Sequence, residues 1–163
     1  MTALPPILAI DLATRTGWAV RKDGVVTSGF VDLGGDGGML PVAKAERLMR
    51  WMRSTIDASA IKIVVYEAPI KRHASAGAAE LAYGLAMACQ LMARSKNCEV
   101  SMVHVGTIKK AWTGKGNAKK PDMVEMARAN GFDVRDHNEA DALALIHYAA
   151  SQMGGGVMPG RLL

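Results

Sequence analysis

Two short apolar runs, each closed by an acid, constrain this chain more than any other feature. Ile7-Leu8-Ala9-Ile10 has no polar member and ends in Asp11, while Ile63-Val64-Val65-Tyr66 ends in Glu67. A continuous apolar run of this length suits a strand covered on both faces. A carboxylate at the mouth of such a strand is costly unless it is paired, hydrogen-bonded or bound to a cation. Where two such strands are neighbours in one sheet, their acids repel, and a divalent cation relieves that repulsion better than a single lysine.

The rest of the chain supplies the sheet. After a polar turn, Thr14-Arg15-Thr16-Gly17, residues 18–21 and 25–33 read as strands joined by Asp23-Gly24, a strong hairpin signal. Gly34-Gly35-Asp36-Gly37-Gly38 is a flexible connector; it lacks the terminal Gly-Lys-Ser/Thr of a Walker-type phosphate loop. From Pro41 the period becomes helical, with Ala45, Leu48, Met49, Met52 and Ile56 on one face. A strand over 61–66, a helix over 75–94 and a strand over 100–105 follow, then a lysine-rich stretch to Lys120. A helix starts at Pro121, which suits the first helical position, and stops before Asn130-Gly131. The last helix covers 138–151. The order β-β-β-α-β-α-β-α-α predicts an α/β fold: a mixed five-stranded sheet, an antiparallel meander plus parallel strands, flanked by helices. That order is used by the ribonuclease H-like fold. Residues 1–153 are expected to form a single domain, and 154–163 a flexible tail.

Composition narrows the partners. Of 163 residues half are hydrophobic and 21% charged, enough to build a core and to exclude global disorder. Two cysteines exclude a disulfide scaffold and Cys-based zinc sites, and Cys89, in an Ala/Leu/Met run, reads as a small buried hydrophobe. A reducing, intracellular compartment is expected. No membrane segment is expected: Asp11 and Arg15 interrupt the first apolar stretch, and residues 74–93 carry Glu80 and Gln90. A net charge of +5 permits a polyanion partner, while eight aromatics are few for a reader that stacks successive bases.

Among the acids a third joins Asp11 and Glu67. Asp141 lies where Asp136-His137-Asn138-Glu139-Ala140-Asp141 turns apolar, and Asn138, three residues earlier, shares its face. Glu139 projects about 100° away and stays apart. Asn138 as a plain N-cap with Asp141 as a capping-box acid is the structural alternative. Hard oxygen ligands with few histidines suit Mg²⁺ or Mn²⁺ rather than zinc. His104 and His147 read as core or surface residues, and His137 as a neighbour off the Asn138/Asp141 face. Five lysines (Lys109, Lys110, Lys115, Lys119 and Lys120) and no acid occupy residues 106–120, and Lys71, Arg72 and His73 follow Glu67 as a second basic strip. An acidic centre with a basic surround suits phosphodiester cleavage. Trp112 reads as buried beneath the lysine stretch.

These segments resemble the RuvC-type Holliday junction resolvases, particularly the phage-encoded and RuvC-like branch, over nearly the whole chain. Residues 7–13 with Thr16-Gly17 are similar to the family's opening strand and first acid; Val65-Tyr66-Glu67-Ala68-Pro69 resembles its second acid motif. Residues 113–120 resemble its glycine-and-lysine segment, and residues 138–144 its C-terminal acidic motif. The resemblance implies a metal-dependent, structure-selective endonuclease that nicks two opposed strands of a four-way junction as a homodimer, leaving 5′-phosphate and 3′-hydroxyl ends. Other branched DNA falls within the implied substrate class. It implies Asp11, Glu67, Asn138 and Asp141 as ligands of two Mg²⁺ ions, with Mn²⁺ as a substitute and Asp11 bridging them. Lys109 and Lys120 would stabilise the scissile phosphate; Lys71, Arg72, Lys110, Lys115 and Lys119 would grip the DNA backbone. Asn138 stands where the family carries Asp or His, and Ile70-Lys71 where some members carry an aromatic wedge. A cytoplasmic location, in a bacterial or phage-infected cell, goes with this reading. The competing class is a branched-DNA-binding module with weak or no catalysis. An actin-like ATPase needs two such domains and nucleotide loops, for which 163 residues leave no room.

Overall fold

In the computed structural model, residues 4–34, 39–70 and 73–154 are described. Strand β1 (Ile7–Asp11) forms the middle of the sheet, and its four apolar residues are completely buried. Strand β2 (Arg15–Lys22) returns antiparallel beside it and β3 (Val25–Asp32) beside β2. Asp23 and Gly24, at φ 52° and 81°, form the hairpin turn, both in the left-handed region that primed turns demand. Helix α1 (Pro41–Ser59) carries Pro41 in its first turn and ends at Ala60 in a left-handed cap. Strand β4 (Ile63–Glu67) joins β1 in parallel on its free side. Helix α2 (Ala76–Ser95), capped by Ser75 Oγ accepting from the Ala78 amide at 3.1 Å, leads to β5 (Glu99–Val103), parallel to β4. Helices α3 (Val105–Thr113), α4 (Lys120–Ala129) and α5 (His137–Gln152) complete the chain. The sheet order is β3-β2-β1-β4-β5.

Alternation along the strands divides the core into two layers. Leu8, Ile10, Val64 and Tyr66 pack against α1 and α2; Ile7, Ala9, Ile63 and Val65 pack against α3, α4 and α5. Helix α5 is buried on most of its circumference, at Glu139, Ala140, from Ala142 through Ile146 and again at Ala149 and Ala150, so its position over the sheet is strongly determined. No helix among the described residues is long and apolar enough to cross a membrane.

The expected architecture holds, with three local differences. The stretch read as a lysine-rich loop contains α3: Ile108 and Trp112, one turn apart, are buried, while Lys110 points outward. Gly114, at φ 79°, ends that helix. The polar turn before Trp18 is shorter than expected, because Arg15, Thr16 and Gly17 already belong to β2 and Gly17 pairs with Asp11. Thr16 Oγ1 donates to the Ala13 carbonyl at 2.6 Å and closes this tight connection. Pro121 is preceded by Lys120 as the first helical residue of α4. Lys71, Arg72, residues 35–38 of the glycine connector and residues 155–163 of the expected tail lie outside the described residues.

Candidate active site and nucleic-acid face

The site is built where β1 and β4 end. They run in parallel register, Ile10 beside Tyr66, so Asp11 and Glu67 come next on adjacent strands, at the ~4.8 Å spacing of neighbouring strands. By alternation both carboxylates project to the side that carries α5. Helix α5 reaches them by an unusually close approach to β2. Gly17, paired with Asp11, lies so near the first turn of α5 that a Cβ would stand 1.9 Å from the Asn138 carbonyl oxygen. One turn further along, Asp141 enters the charge field of both strand-end acids.

The three carboxylates respond to burial, and Asp11 and Glu67 respond also to neighbouring acids. Asp11 is pushed well above the usual carboxylate range, first by burial, then by the charges of Glu67 and Asp141. Burial and then Asp141 raise Glu67 to about 7; Asp141 itself is raised to about 6, chiefly by burial. Two lysines work against these shifts. Lys109, on α3, offsets the charge of Glu67 and Asp141, and Lys120, the first residue of α4, that of Asp11 and Asp141.

This donor set fits a hard divalent cation: oxygen ligands whose mutual repulsion a bound 2+ charge would remove. Asn138 adds an amide on the same helix face as Asp141, and among the described residues its side chain has no hydrogen-bond partner. Still, among those residues no three acid, imidazole or thiol side chains already stand together as a ready ion-holding group.

The alternative reading of the α5 start does not hold. Its N-cap is Asp136, whose carboxylate accepts from the Glu139 amide at 3.0 Å, so Asn138 is the second helical residue and Asp141 lies beyond the cap. The residues around that cap were not recognised from sequence. Arg15 Nε donates to Asp136 Oδ2, and its guanidinium lies 3.5 Å above the centre of the Phe30 ring. Glu139, set aside in the sequence, is 4% exposed and acts as a clamp: Ser28 Oγ on β3 donates to it at 2.7 Å and the Arg135 amide at 2.9 Å. A signal existed, since an acid at the start of a helix that is otherwise largely apolar needs an internal partner where it is buried.

The remaining basic residues separate. Lys120 Nζ lies 2.9 Å from His137 Nε2, which brings His137 against the lysine at the site; burial, then the Lys120 charge, lower the His137 pKa. Lys110, Lys115 and Lys119 are exposed, and none of them is a charge that shifts the three acids. Trp112 is buried, with Nε1 donating to the Met123 carbonyl at 3.3 Å and its ring edge against His147. His73 lines a cleft of about 230 Å³ with Asp11, Leu12, Glu67, Ala68, Pro69, Ile70 and Ala82.

No family model matches the chain, and no curated protein matches its sequence. Solved structures do. The chain is similar to Thermus thermophilus RuvC in complex with a Holliday junction substrate, at a TM-score of 0.75 and 18% identity, over 93% of this chain and 98% of that one. Another structure of T. thermophilus RuvC gives 0.69 and 19%, over 92% and 97% of the two chains. The yeast mitochondrial Holliday junction resolvase gives 0.63 and 10%, over 95% and 84%. The fold is thus the ribonuclease H-like fold of these resolvases.

Proposed function

We propose that this chain is a divalent-metal-dependent, structure-selective DNA endonuclease that resolves four-way junctions, and other branched DNA, by paired nicks leaving 5′-phosphate and 3′-hydroxyl ends. The observation that carries the reading is the pair of acids, Asp11 and Glu67, closing two neighbouring parallel strands, with Asp141 on the α5 face that packs against the same side of the sheet. The shared fold with resolvases, one of them seen on a Holliday junction, supports the substrate class.

Asp11, Glu67, Asp141 and the Asn138 amide would hold Mg²⁺, or Mn²⁺ in its stead, as two ions if the resemblance to the resolvases extends to the metal count. When bound, the metal supplies an acidified water and neutralises charge on the phosphate and leaving oxygen. The protein's own groups do the rest. Lys109 and Lys120 offset negative charge building on the phosphoryl oxygens. His137, hydrogen-bonded to Lys120, holds that ammonium toward the acids. Arg15 and Glu139 fix the first turn of α5 and with it Asp141. Lys71, Arg72, Lys110, Lys115 and Lys119 would contact flanking phosphates.

Paired nicks call for two sites, and α2 offers a self-complementary face. Tyr83, Met87 and Leu91 are each more than half exposed along its outer side, with exposed Glu80 at one end and Arg94 at the other. An antiparallel second copy with its two-fold axis at Met87 sets Tyr83 against Leu91 and Glu80 against Arg94. We take the homodimer to form there. Residues 1–153 would act as one nuclease unit, in the cytoplasm.

The test is incubation of a labelled four-way junction and a linear duplex with Mg²⁺, Mn²⁺ or EDTA, alongside Asp11→Asn. Ligatable, symmetric nicks on the junction that need both metal and Asp11 are the expected result. Tight, metal-independent junction binding without nicks would replace the nuclease by a binding module, the reading that a neutral Asn138 favours.

A further inference from the structure

A groove of about 760 Å³ lies between α3 and α5, lined by His104, Gly106, Thr107, Lys110, Ala111 and Tyr148. Its place follows from the two helices, which also carry parts of the acidic site. His104 comes directly after Val103, the partner of Glu67 at the end of the sheet. Lys109 and Lys110 are successive residues, about 100° apart around α3. The first offsets the charge of Glu67 and Asp141, and the second lines the groove. On α5, Tyr148 stands two turns beyond Asp141 on the same face, about 10 Å further along the axis. The groove therefore neighbours the acids without including any of them. Its chemistry differs from theirs. Lys110 and Thr107 are exposed and supply an ammonium and a hydroxyl, Gly106 and Ala111 leave an apolar floor, and the half-buried Tyr148 adds an aromatic ring. No acid is among the described residues that line it. A cation and a hydroxyl over an apolar floor complement a phosphate joined to its sugar.

We propose that this groove holds the sugar-phosphate backbone of the DNA arm beside the cleaved bond: Lys110 pairs with one phosphate, the Thr107 hydroxyl donates to a non-bridging oxygen, and the Tyr148 ring packs on the deoxyribose. The identity of the strand rests on the nuclease reading above. With about 1.5 Å of rise per helical residue and about 3.4 Å per nucleotide step, the offset from Asp141 to Tyr148 puts the gripped phosphate roughly three steps from the scissile one. A protein segment is the weaker occupant, because Gly106 and Ala111 offer no deep pocket for an apolar anchor.

Lys110→Met, Tyr148→Ala and Tyr148→Phe test it on the full chain. Three quantities are read: melting temperature, junction affinity by fluorescence anisotropy in Ca²⁺ across a salt series, and junction cleavage in Mg²⁺. One phosphate contact contributes a log–log salt slope of about 0.9, so Lys110→Met should bind roughly eightfold more weakly at about 0.1 M salt and lose about one unit of slope. Tyr148→Ala should bind about fivefold more weakly at the wild-type slope, because a neutral ring releases no counterion, and Tyr148→Phe should bind as wild type. Lys110 is exposed, so its replacement decides the matter even where Tyr148→Ala melts too low to assay. A single uncharged methylphosphonate, moved along the strand from the nick, locates the contact: about three steps away it should weaken wild-type binding and cost Lys110→Met nothing further. Wild-type affinity and slope in Lys110→Met overturn the proposal, as does a methylphosphonate effect equal in both proteins at every step. A folded Tyr148→Ala protein with wild-type affinity overturns the groove and leaves Lys110 an isolated contact. If the wild type binds junctions and cuts none in any metal, the nuclease reading fails and the salt series still decides the groove. If it binds no DNA at all, both fail.

Discussion

Gly17→Ala tests the contact that brings Asp141 to the strand-end acids. Gly17 sits opposite Asp11 in the β1–β2 ladder, and the added methyl would meet the Asn138 carbonyl oxygen at 1.9 Å, its carbon at 2.2 Å and the Glu139 nitrogen at 2.9 Å. All three obstacles are backbone, so no rotamer relieves the clash. Ordinary contact begins near 3.4 Å, which requires a displacement of roughly 1.5 Å. Strand β2 is paired on both sides, with β1 and β3, so the start of α5 is what must yield. Overpacking of this kind costs about 1–3 kcal/mol. Straining the Ser28–Glu139 hydrogen bond, which crosses the same gap, adds about 1 kcal/mol. The expected loss is therefore about 2–4 kcal/mol, read as a lower urea midpoint at an unchanged slope. Asp141 moves with the helix, and a misplacement of about 1 Å in a reacting array costs on the order of a hundredfold in rate. Gly84→Ala is the control: a Cβ there has nothing within 4 Å, and replacing glycine inside α2 should gain about 0.5–1 kcal/mol. A Gly17→Ala protein with the wild-type midpoint and full junction cleavage would refute the inference that this contact positions α5.

Glu67 and Asp141 hold their protons more tightly folded than unfolded, with pKa values of about 7 and 6, so stability is fully present below the unfolded pKa of about 4 and is lost as pH rises through the folded values. The metal-free protein should thus melt lower at pH 8 than at pH 5, and Mg²⁺ should raise the melting temperature more at pH 8; calorimetry showing the opposite pH trend would contradict the buried, mutually repelling acids. Glu139→Ala strands the Ser28 hydroxyl and the Arg135 amide and should cost about 2–4 kcal/mol, whereas Ser28→Ala, which removes one hydrogen bond, should cost about 1 kcal/mol, both by urea unfolding. Met87→Glu puts two carboxylates on the proposed two-fold axis and should convert a dimer to a monomer in sedimentation; an unchanged dimer would move the interface away from α2.

The parts legible in the sequence were those that burial on both faces dictates. Ile7 to Ile10 and Ile63 to Tyr66 could only be inner strands, and the acids closing them could only emerge at sheet ends. Nothing local in either run states that the two are neighbours; that follows from the crossover through α1, which returns β4 to the free side of β1. Helix α3 was missed because Lys109 and Lys110 dominate its composition, whereas what folds it is the single Ile108/Trp112 turn pressed under α5. A period carried by two residues is too short to see without the surface it packs on.

The site residues divide along the same physical line. Asp11, Glu67 and Asp141 were visible because an acid next to an apolar run is anomalous in one dimension. Gly17, Glu139 and His73 are anomalous only in three. Gly17 matters through a helix that begins 120 residues later, Glu139 through a hydroxyl on the far strand of the meander, and His73 through a buried ring nitrogen without a partner among the described residues. For Gly17 and Glu139 the decisive partner is distant in the chain, so residue type and spacing assign a generic role that packing then overturns. The acids, by contrast, draw their strength as a site from the same feature that betrays them. The burial that makes each carboxylate conspicuous also raises its proton affinity, and in the proposed nuclease this is what would give a divalent cation its hold. Replacing Asp11 by Asn should therefore stabilise the metal-free fold while it abolishes the metal's stabilising effect, a pairing that a purely structural carboxylate would not produce.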